Sequence, residues 1–283
     1  MSDVADRSPQ AGHTGRPPLA RPVGVSLPYA RPVFASYGDP LLLRQSRGAV
    51  MVDIVMLVGL FVGLEVVKEA VFTIVVGDAP HEVYREWTPA STAVSALVVT
   101  GAVLLIARAR GQSRQALGLV ASRWPGNVGI GLLGGFAVLF LTVIAGMYIQ
   151  FVFPELIPLL QESQENINKV LPPMSLGTIL ALCIAVSFYE ELLFRGFVLP
   201  RLRVLTGSWW SAVLLGAASF GLLHLYEGAL TTIPVMALAA FLSVQFIWRR
   251  SLVAPMVTHF IFNAVQLILL QKYSEVFGPV GML

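Results

Sequence analysis

Charge is what this sequence most lacks. Acidic and basic residues make up 12% of its 283 positions, against roughly 25% in a soluble globular domain. Hydrophobic residues account for 56%, and the mean hydropathy is +0.75. That balance excludes a water-soluble fold and places most of the length in a bilayer. Cysteine is almost absent. The single Cys183 cannot form an internal disulfide and lies in an apolar run, so it says nothing about redox compartment. There is no Asn-x-Ser/Thr site and no internal repeat. HExxH is missing too: in His81-Glu82-Val83-Tyr84-Arg85 an arginine stands where the second histidine would be, and no metal role follows.

The apolar material is unevenly spread. Residues 1–48 hold seven of the 18 prolines and six of the 19 basic residues, with few bulky apolar groups. Such a segment cannot bury enough surface to fold alone, and no apolar core follows a short basic start, as it would in a signal peptide. It reads as a disordered Pro/Arg-rich cytoplasmic tail. Candidate spans follow at 49–76, 91–107, 127–153, 176–199, 209–226, 229–248 and 252–271. A bilayer needs roughly 20 apolar residues per helix. The expected fold class is an all-α, multi-pass transmembrane helical bundle of about seven spans, or eight. After the tail come N-terminal transmembrane helices over 49–153, an outer loop with an amphipathic helix over 154–175, a transmembrane core over 176–271 and a C-terminal tail over 272–283.

Basic residues set the orientation. With the tail inside, the inner segments 1–48, 108–126, 200–208 and 249–251 hold fourteen of them, and the outer segments only Arg85, Lys169 and Lys272. The first span carries Asp53, Glu65, Lys68 and Glu69, of which Glu65 and Lys68 can pair at i,i+3 for packing. Gly59-xxx-Gly63 and Gly131-xxx-Gly135 are spacings that let membrane helices approach closely.

The span at 176–199 carries three charges, in Ser187-Phe-Tyr-Glu-Glu-Leu-Leu-Phe-Arg-Gly196. Each ionised side chain near mid-membrane costs about 2.5–3.5 kcal/mol on insertion scales. On a helix Glu191 and Arg195 share a face and can pair, while Glu190 points elsewhere. Two adjacent carboxylates in low dielectric resist double ionisation, and a carboxylate so tuned suits general-base chemistry. His224 and His259 also fall in apolar spans, and Asn263 follows His259 by one turn. No activated serine or cysteine accompanies them. Peptide hydrolysis would then need an activated water, with Glu190 and a histidine taking its proton and His259 and Asn263 stabilising the oxyanion.

Three motifs in order carry a resemblance: Glu190-Glu191-Leu192-Leu193-Phe194-Arg195 as EExxxR, Phe220-Gly221-Leu222-Leu223-His224 as FxxxH, and His259-Phe260-Ile261-Phe262-Asn263 as HxxxN. The stretch 176–271 resembles the CAAX protease and bacteriocin-processing (CPBP, or Abi) intramembrane proteases, relatives of the type 2 CAAX prenyl endopeptidase. The resemblance implies that Glu190 activates water with help from His224. It implies that His259 and Asn263 form the oxyanion pair, that Glu191 and Arg195 support them, and that the site opens toward the cytoplasm and the membrane. The implied partners are the lipid bilayer and a peptide or membrane-protein substrate, not nucleic acid.

Alternatives stay open on the residues. Zinc could sit on Glu190, His224 and His259, since a His₂Glu set is a known catalytic arrangement, although the metal-free form is preferred. A non-enzymatic membrane regulator or immunity protein is a second class, and a proton-coupled transporter a third. The span boundaries also raise a difficulty. They leave Glu190 about 15 Å and His259 about 12 Å from the inner edge, but His224 about 25 Å, at 1.5 Å per residue. One site needs one depth. Either the helices tilt, or the fifth span begins later than Trp209 and 200–212 lies on the inner surface.

Overall fold

The computed structural model describes residues 45–76, 81–120, 123–171 and 174–277. The expected tail therefore falls, up to residue 44, outside the described residues. The described chain is helical, and no strand forms among these residues. In order the helices are α1 (Arg47–Val76), α2 (His81–Ala109), α3 (Trp124–Val152), α4 (Ile157–Val170), α5 (Leu176–Glu191), α6 (Leu199–Thr206), α7 (Trp209–Leu222), α8 (Ala229–Arg249) and α9 (Val253–Phe277). A π-helical segment, Leu192–Val198, joins α5 to α6 without a break. The expected multi-pass all-α bundle is observed. Among the described residues six stretches, against the expected seven, are long and apolar enough to cross a membrane: Arg47–Ile74, Pro89–Ala109, Trp124–Val152, Leu176–Thr206, Ala229–Arg249 and Val253–Lys272.

Besides the last helix, which runs on to Phe277 into the expected tail of 272–283, the rest of which lies outside the described residues, three boundaries differ from the sequence expectation. The stretch between the first two expected spans, 77–90, which the span boundaries leave as an outer loop, is helical from His81 onward. The span assigned to 176–199 continues to Thr206, so the loop at 200–208 shrinks to Gly207 and Ser208. Gly207 closes α6 at φ 73, a left-handed conformation that favours glycine, and the Ser208 side chain caps α7 by accepting from the Ser211 N–H. The third difference is the span at 209–226. Its helix stops at Leu222, only 14 residues long, and His224 lies in the turn beyond it rather than in the span.

These corrections remove the difficulty over depth. Glu190 is about 24 Å along the helix from Thr206, and Leu222 about 20 Å from Trp209. The two ends meet in the Gly207-Ser208 turn, so Glu190 and His224 lie at similar heights. His259 is only about 9 Å along α9 from Val253. The hairpin around Gly207 thus runs past the start of α9. The later start proposed for the fifth span does not occur: α7 begins at Trp209, and Leu199–Thr206 is helix rather than a segment lying on the inner surface.

Proline explains the π segment. Pro200 has no N–H, and in a regular α-helix its ring would press on the carbonyl four residues back. The wider turns over Leu192–Val198 precede it, and Gly196 lies among them. A Cβ on Gly196 would come 2.8 Å from the Leu117 carbonyl oxygen, so only glycine lets that loop approach. The main core packs here, with Leu192, Phe197, Leu199 and Trp209 against Leu57, Val99, Val103, Phe246 and Leu252.

Two polar ties fix the helices around it. At the basic end, buried Asp53 of α1 accepts from Arg110 Nε (2.8 Å) and from Arg201 Nη2 (3.1 Å), while Arg201 Nη1 donates to the Phe197 carbonyl (3.2 Å). Within the bundle the Thr258 hydroxyl donates to the Gly131 carbonyl (2.9 Å) and lies 3.0 Å from Gln245 Oε1. The two glycine pairs behave differently. A Cβ on Gly131 would meet Val257 Cβ at 2.5 Å and the Ala254 carbonyl at 2.7 Å, and one on Gly135 would meet Ile261 at 2.7 Å. Gly59 and Gly63 have nothing within 4 Å. Gly131→Ala is therefore expected to lower stability by about 1–3 kcal/mol through overpacking of α3 on α9. Gly59→Ala is expected to leave it unchanged or raise it by up to about 1 kcal/mol. Thermal unfolding of both variants in detergent checks the contrast.

Candidate active site

Glu190 and Glu191 are neighbours with opposite surroundings. Glu191 is fully enclosed. Its Oε1 accepts from Arg195 Nη1 at 2.8 Å and from His259 Nδ1 at 2.9 Å. The pairing expected from helical spacing thus survives the change to π geometry at residue 192. Arg195 is equally buried, at 1% exposure. Its Nη2 donates to the Ala239 carbonyl at 3.0 Å, and its guanidinium lies 4.9 Å from the centre of the Phe220 ring. One carboxylate thus joins α5, the π segment and α9, and its arginine partner adds α7 and α8.

Glu190 has no cationic partner of this kind. Its side chain is 13% exposed. Oε1 accepts from the Tyr189 hydroxyl at 3.1 Å. Oε2 is buried without a hydrogen-bond partner among the described residues and lies 3.8 Å from His259 Nε2.

Both histidines have one ring nitrogen committed. His224 Nδ1 lies 2.8 Å from the Phe220 carbonyl oxygen, and His259 Nδ1 lies 2.9 Å from Glu191 Oε1. Both oxygens can only accept, so both Nδ1 atoms carry hydrogen and Nε2 is the working atom of each ring. Phe220 arranges this. Its ring stacks on His224 (4.6 Å, 29°) and meets His259 edge-on (6.2 Å, 74°). His224 is also flanked by Tyr226 at 6.2 Å.

Burial pushes the Glu227 carboxyl, in the turn after His224, above the usual carboxylate range. His224 and the Tyr226 hydroxyl act against that rise, and the negative charge of Glu190 adds to it. Glu65, from the first helix, is bonded to Lys68 Nζ at 2.9 and 3.0 Å as its spacing suggested, and Lys68 also reaches Ser95 at 3.1 Å.

Of the six residues singled out from sequence, Glu190, Glu191, Arg195 and His259 come together directly, and His224 joins them through Phe220. Asn263 is half-buried one turn beyond His259. Among the described residues it makes no hydrogen bond to the other five. Sequence reasoning missed Tyr189 and gave Phe220 no task. The missed signal was adjacency: a tyrosine beside a buried glutamate is a hydroxyl that must find an acceptor. No three His, Cys, Asp or Glu side chains among the described residues gather into a set that could hold a metal ion. Glu190, His224 and His259 form no such set among the described residues.

Residues 172–265 match the family model described as type II CAAX prenyl endopeptidase Rce1-like. This segment, 94 of the 283 residues, is similar to the Rce1-like family. It contains all six polar motif residues, together with Tyr189 and Phe220. A 131-residue stretch is 29% identical to the uncharacterized protein YpbD of Bacillus subtilis (strain 168), covering 46% of this chain and 64% of that protein. The chain thus spans slightly less than two thirds of that relative. No solved structure matches it. Tail, α1, α2, α3 and α4 all precede the Rce1-like segment, yet α1 and α3 hold it in place through Asp53 and Gly131.

The two glutamates should respond differently to mutation. Arg195→Met leaves Glu191 buried beside an uncharged chain, and is expected to cost about 3–5 kcal/mol of stability. Glu190→Gln removes no hydrogen-bonded ion pair and is expected to stay within about 1 kcal/mol of wild type. Melting temperatures in the same detergent separate the two.

Proposed function

We propose that this chain is an intramembrane endopeptidase, with Glu190 as the base that activates water. The observation that carries the reading is the unequal treatment of the two glutamates. Glu191 is neutralised by Arg195 and tied to His259, so its negative charge is already engaged. Glu190 accepts its hydrogen bond from a neutral phenol, and its Oε2, without a hydrogen-bond partner, lies 3.8 Å from His259 Nε2. The coarse activity agrees with the description of the Rce1-like model.

In the proposed reaction a water lies against Glu190 Oε2, within hydrogen-bond distance of the working nitrogen of His224. Its oxygen attacks the peptide carbonyl carbon while its proton passes to Glu190. The carbonyl π electrons move to oxygen. His259, protonated on both nitrogens, donates Nε2–H to that oxyanion, and Asn263 supplies a second donor from the next turn. The C–N bond then breaks, and the leaving nitrogen takes the proton from Glu190. Glu191 and Arg195 keep His259 oriented throughout. Oriented donors of this type are worth about 10²–10³ each in kcat.

The fourteen-to-three distribution of basic residues supports a cytoplasmic N-terminus, in the cytoplasmic membrane if the source is bacterial, with the site open toward the cytoplasmic side. The substrate is a peptide or a membrane-protein segment.

The test compares new peptide termini in membranes from cells expressing wild type or Glu190→Ala at matched protein levels. Termini that vanish in the variant are expected, and would name substrates as well. Identical termini in both would favour a non-enzymatic regulator of the same family. With a substrate in hand, purified Glu190→Gln is expected to lose at least about 10² in kcat/KM. Chelator-washed wild type is expected to keep its rate, and loss of activity restored by added zinc would return the metal to the mechanism.

A further inference from the structure

Glu190 has two oxygens, and only one can be the base. The contact that distinguishes them lies outside the three motifs. Tyr189 is buried at 8% exposure. A phenol buried in a membrane protein needs an acceptor for its single proton. The acceptor is Glu190 Oε1, at 3.1 Å. Neighbouring side chains on a helix diverge by about 100°, so this bond forms only if both lean toward each other.

A second carboxylate lies within electrostatic reach of the same hydroxyl, that of Glu65 on α1. It does not compete for the proton. Lys68 holds both of its oxygens, at 2.9 and 3.0 Å, and the Ser95 hydroxyl lies 3.3 Å from one of them. The bond to Glu190 is thus the one open to Tyr189. The donor is also neutral. An arginine or lysine in that place would form an ion pair and draw down the basicity of the carboxylate.

We propose that Tyr189 is a positioning residue for the reaction: by occupying Oε1 it fixes the Glu190 carboxylate so that Oε2, 3.8 Å from His259 Nε2, receives the proton of the attacking water. The inference rests on the endopeptidase reading, and it assigns a role to a residue that none of EExxxR, FxxxH and HxxxN contains.

Tyr189→Phe removes one oxygen and keeps the ring in its packing. With a verified substrate, kcat is expected to fall about tenfold to a hundredfold, the range for one hydrogen bond to a charged group. KM and the melting temperature are expected to stay at wild-type values. The same change is then made in a Glu190→Asp background, where the shortened carboxylate no longer reaches the phenol. There Tyr189→Phe is expected to cost nothing further, because the two residues act through one bond. A kcat within twofold of wild type overturns the proposal. So does a loss of equal size in both backgrounds, or one that follows a drop in melting temperature, since either marks a structural role. Wild-type protein that cleaves nothing would sink the endopeptidase reading itself. An active wild type with an indifferent Tyr189→Phe sinks the inference alone.

Discussion

The Glu191 carboxylate is a charge with no exposure to solvent. Leaving it unpaired there would cost several kcal/mol, so the surrounding structure must supply partners from several directions. Arg195 comes from the same continuous helix through a π turn, and His259 from the last helix. Arg195 in turn reaches the Ala239 carbonyl and stacks over Phe220. Removing any one of these leaves a charge or donor stranded among apolar side chains. The site is therefore a condition of packing and not an addition to it. The same pairing leaves Glu190 as the less constrained carboxylate.

Away from the site, the structure relies on parts of the chain that precede the Rce1-like segment. Asp53 meets Arg201 just beyond the π segment, and Arg201 covers the Phe197 ring with its guanidinium 3.3 Å from the centroid. Buried at 1% exposure, Asp53 would be unstable without its two arginines. On the other side α3 presents Gly131, Gly134 and Gly135 to α9 on either side of Thr258, one residue before His259. Small residues matter more here than apolar ones, because lipid competes for apolar contact but cannot reproduce a close helix approach. The amphipathic α4, expected from its polar composition between prolines, packs with Ser163 against Gly228, a glycine at φ 124 that ends the turn carrying His224.

How much of this could be read in advance differed by kind of signal. Long apolar runs made the bundle legible, because a helix is the cheapest way to satisfy backbone polar groups in lipid. Helical spacing predicted the Glu191–Arg195 and Glu65–Lys68 pairs correctly, since local geometry alone decides them. Boundaries were less legible. The helix through Arg201 and Arg203 continues past the point where apolarity ends, because Asp53 neutralises Arg201 from another helix. The break after Leu222 was invisible in FGLLH, which is as apolar as the span it ends.

What the sequence by itself determined is the inventory: a membrane bundle, three charges where charge is costly, two histidines and an asparagine in ordered motifs, and the local pairs that neighbouring turns allow. What only the tertiary structure decided is which distant groups reach each carboxylate. Glu190 and Glu191 are identical residues at adjacent positions, and nothing local separates them except direction. Local spacing gives Arg195 to Glu191, and His259 then reaches in from the last helix to bond Glu191 and face Glu190, because in a low-dielectric interior a carboxylate's surroundings depend on which donors reach its oxygens.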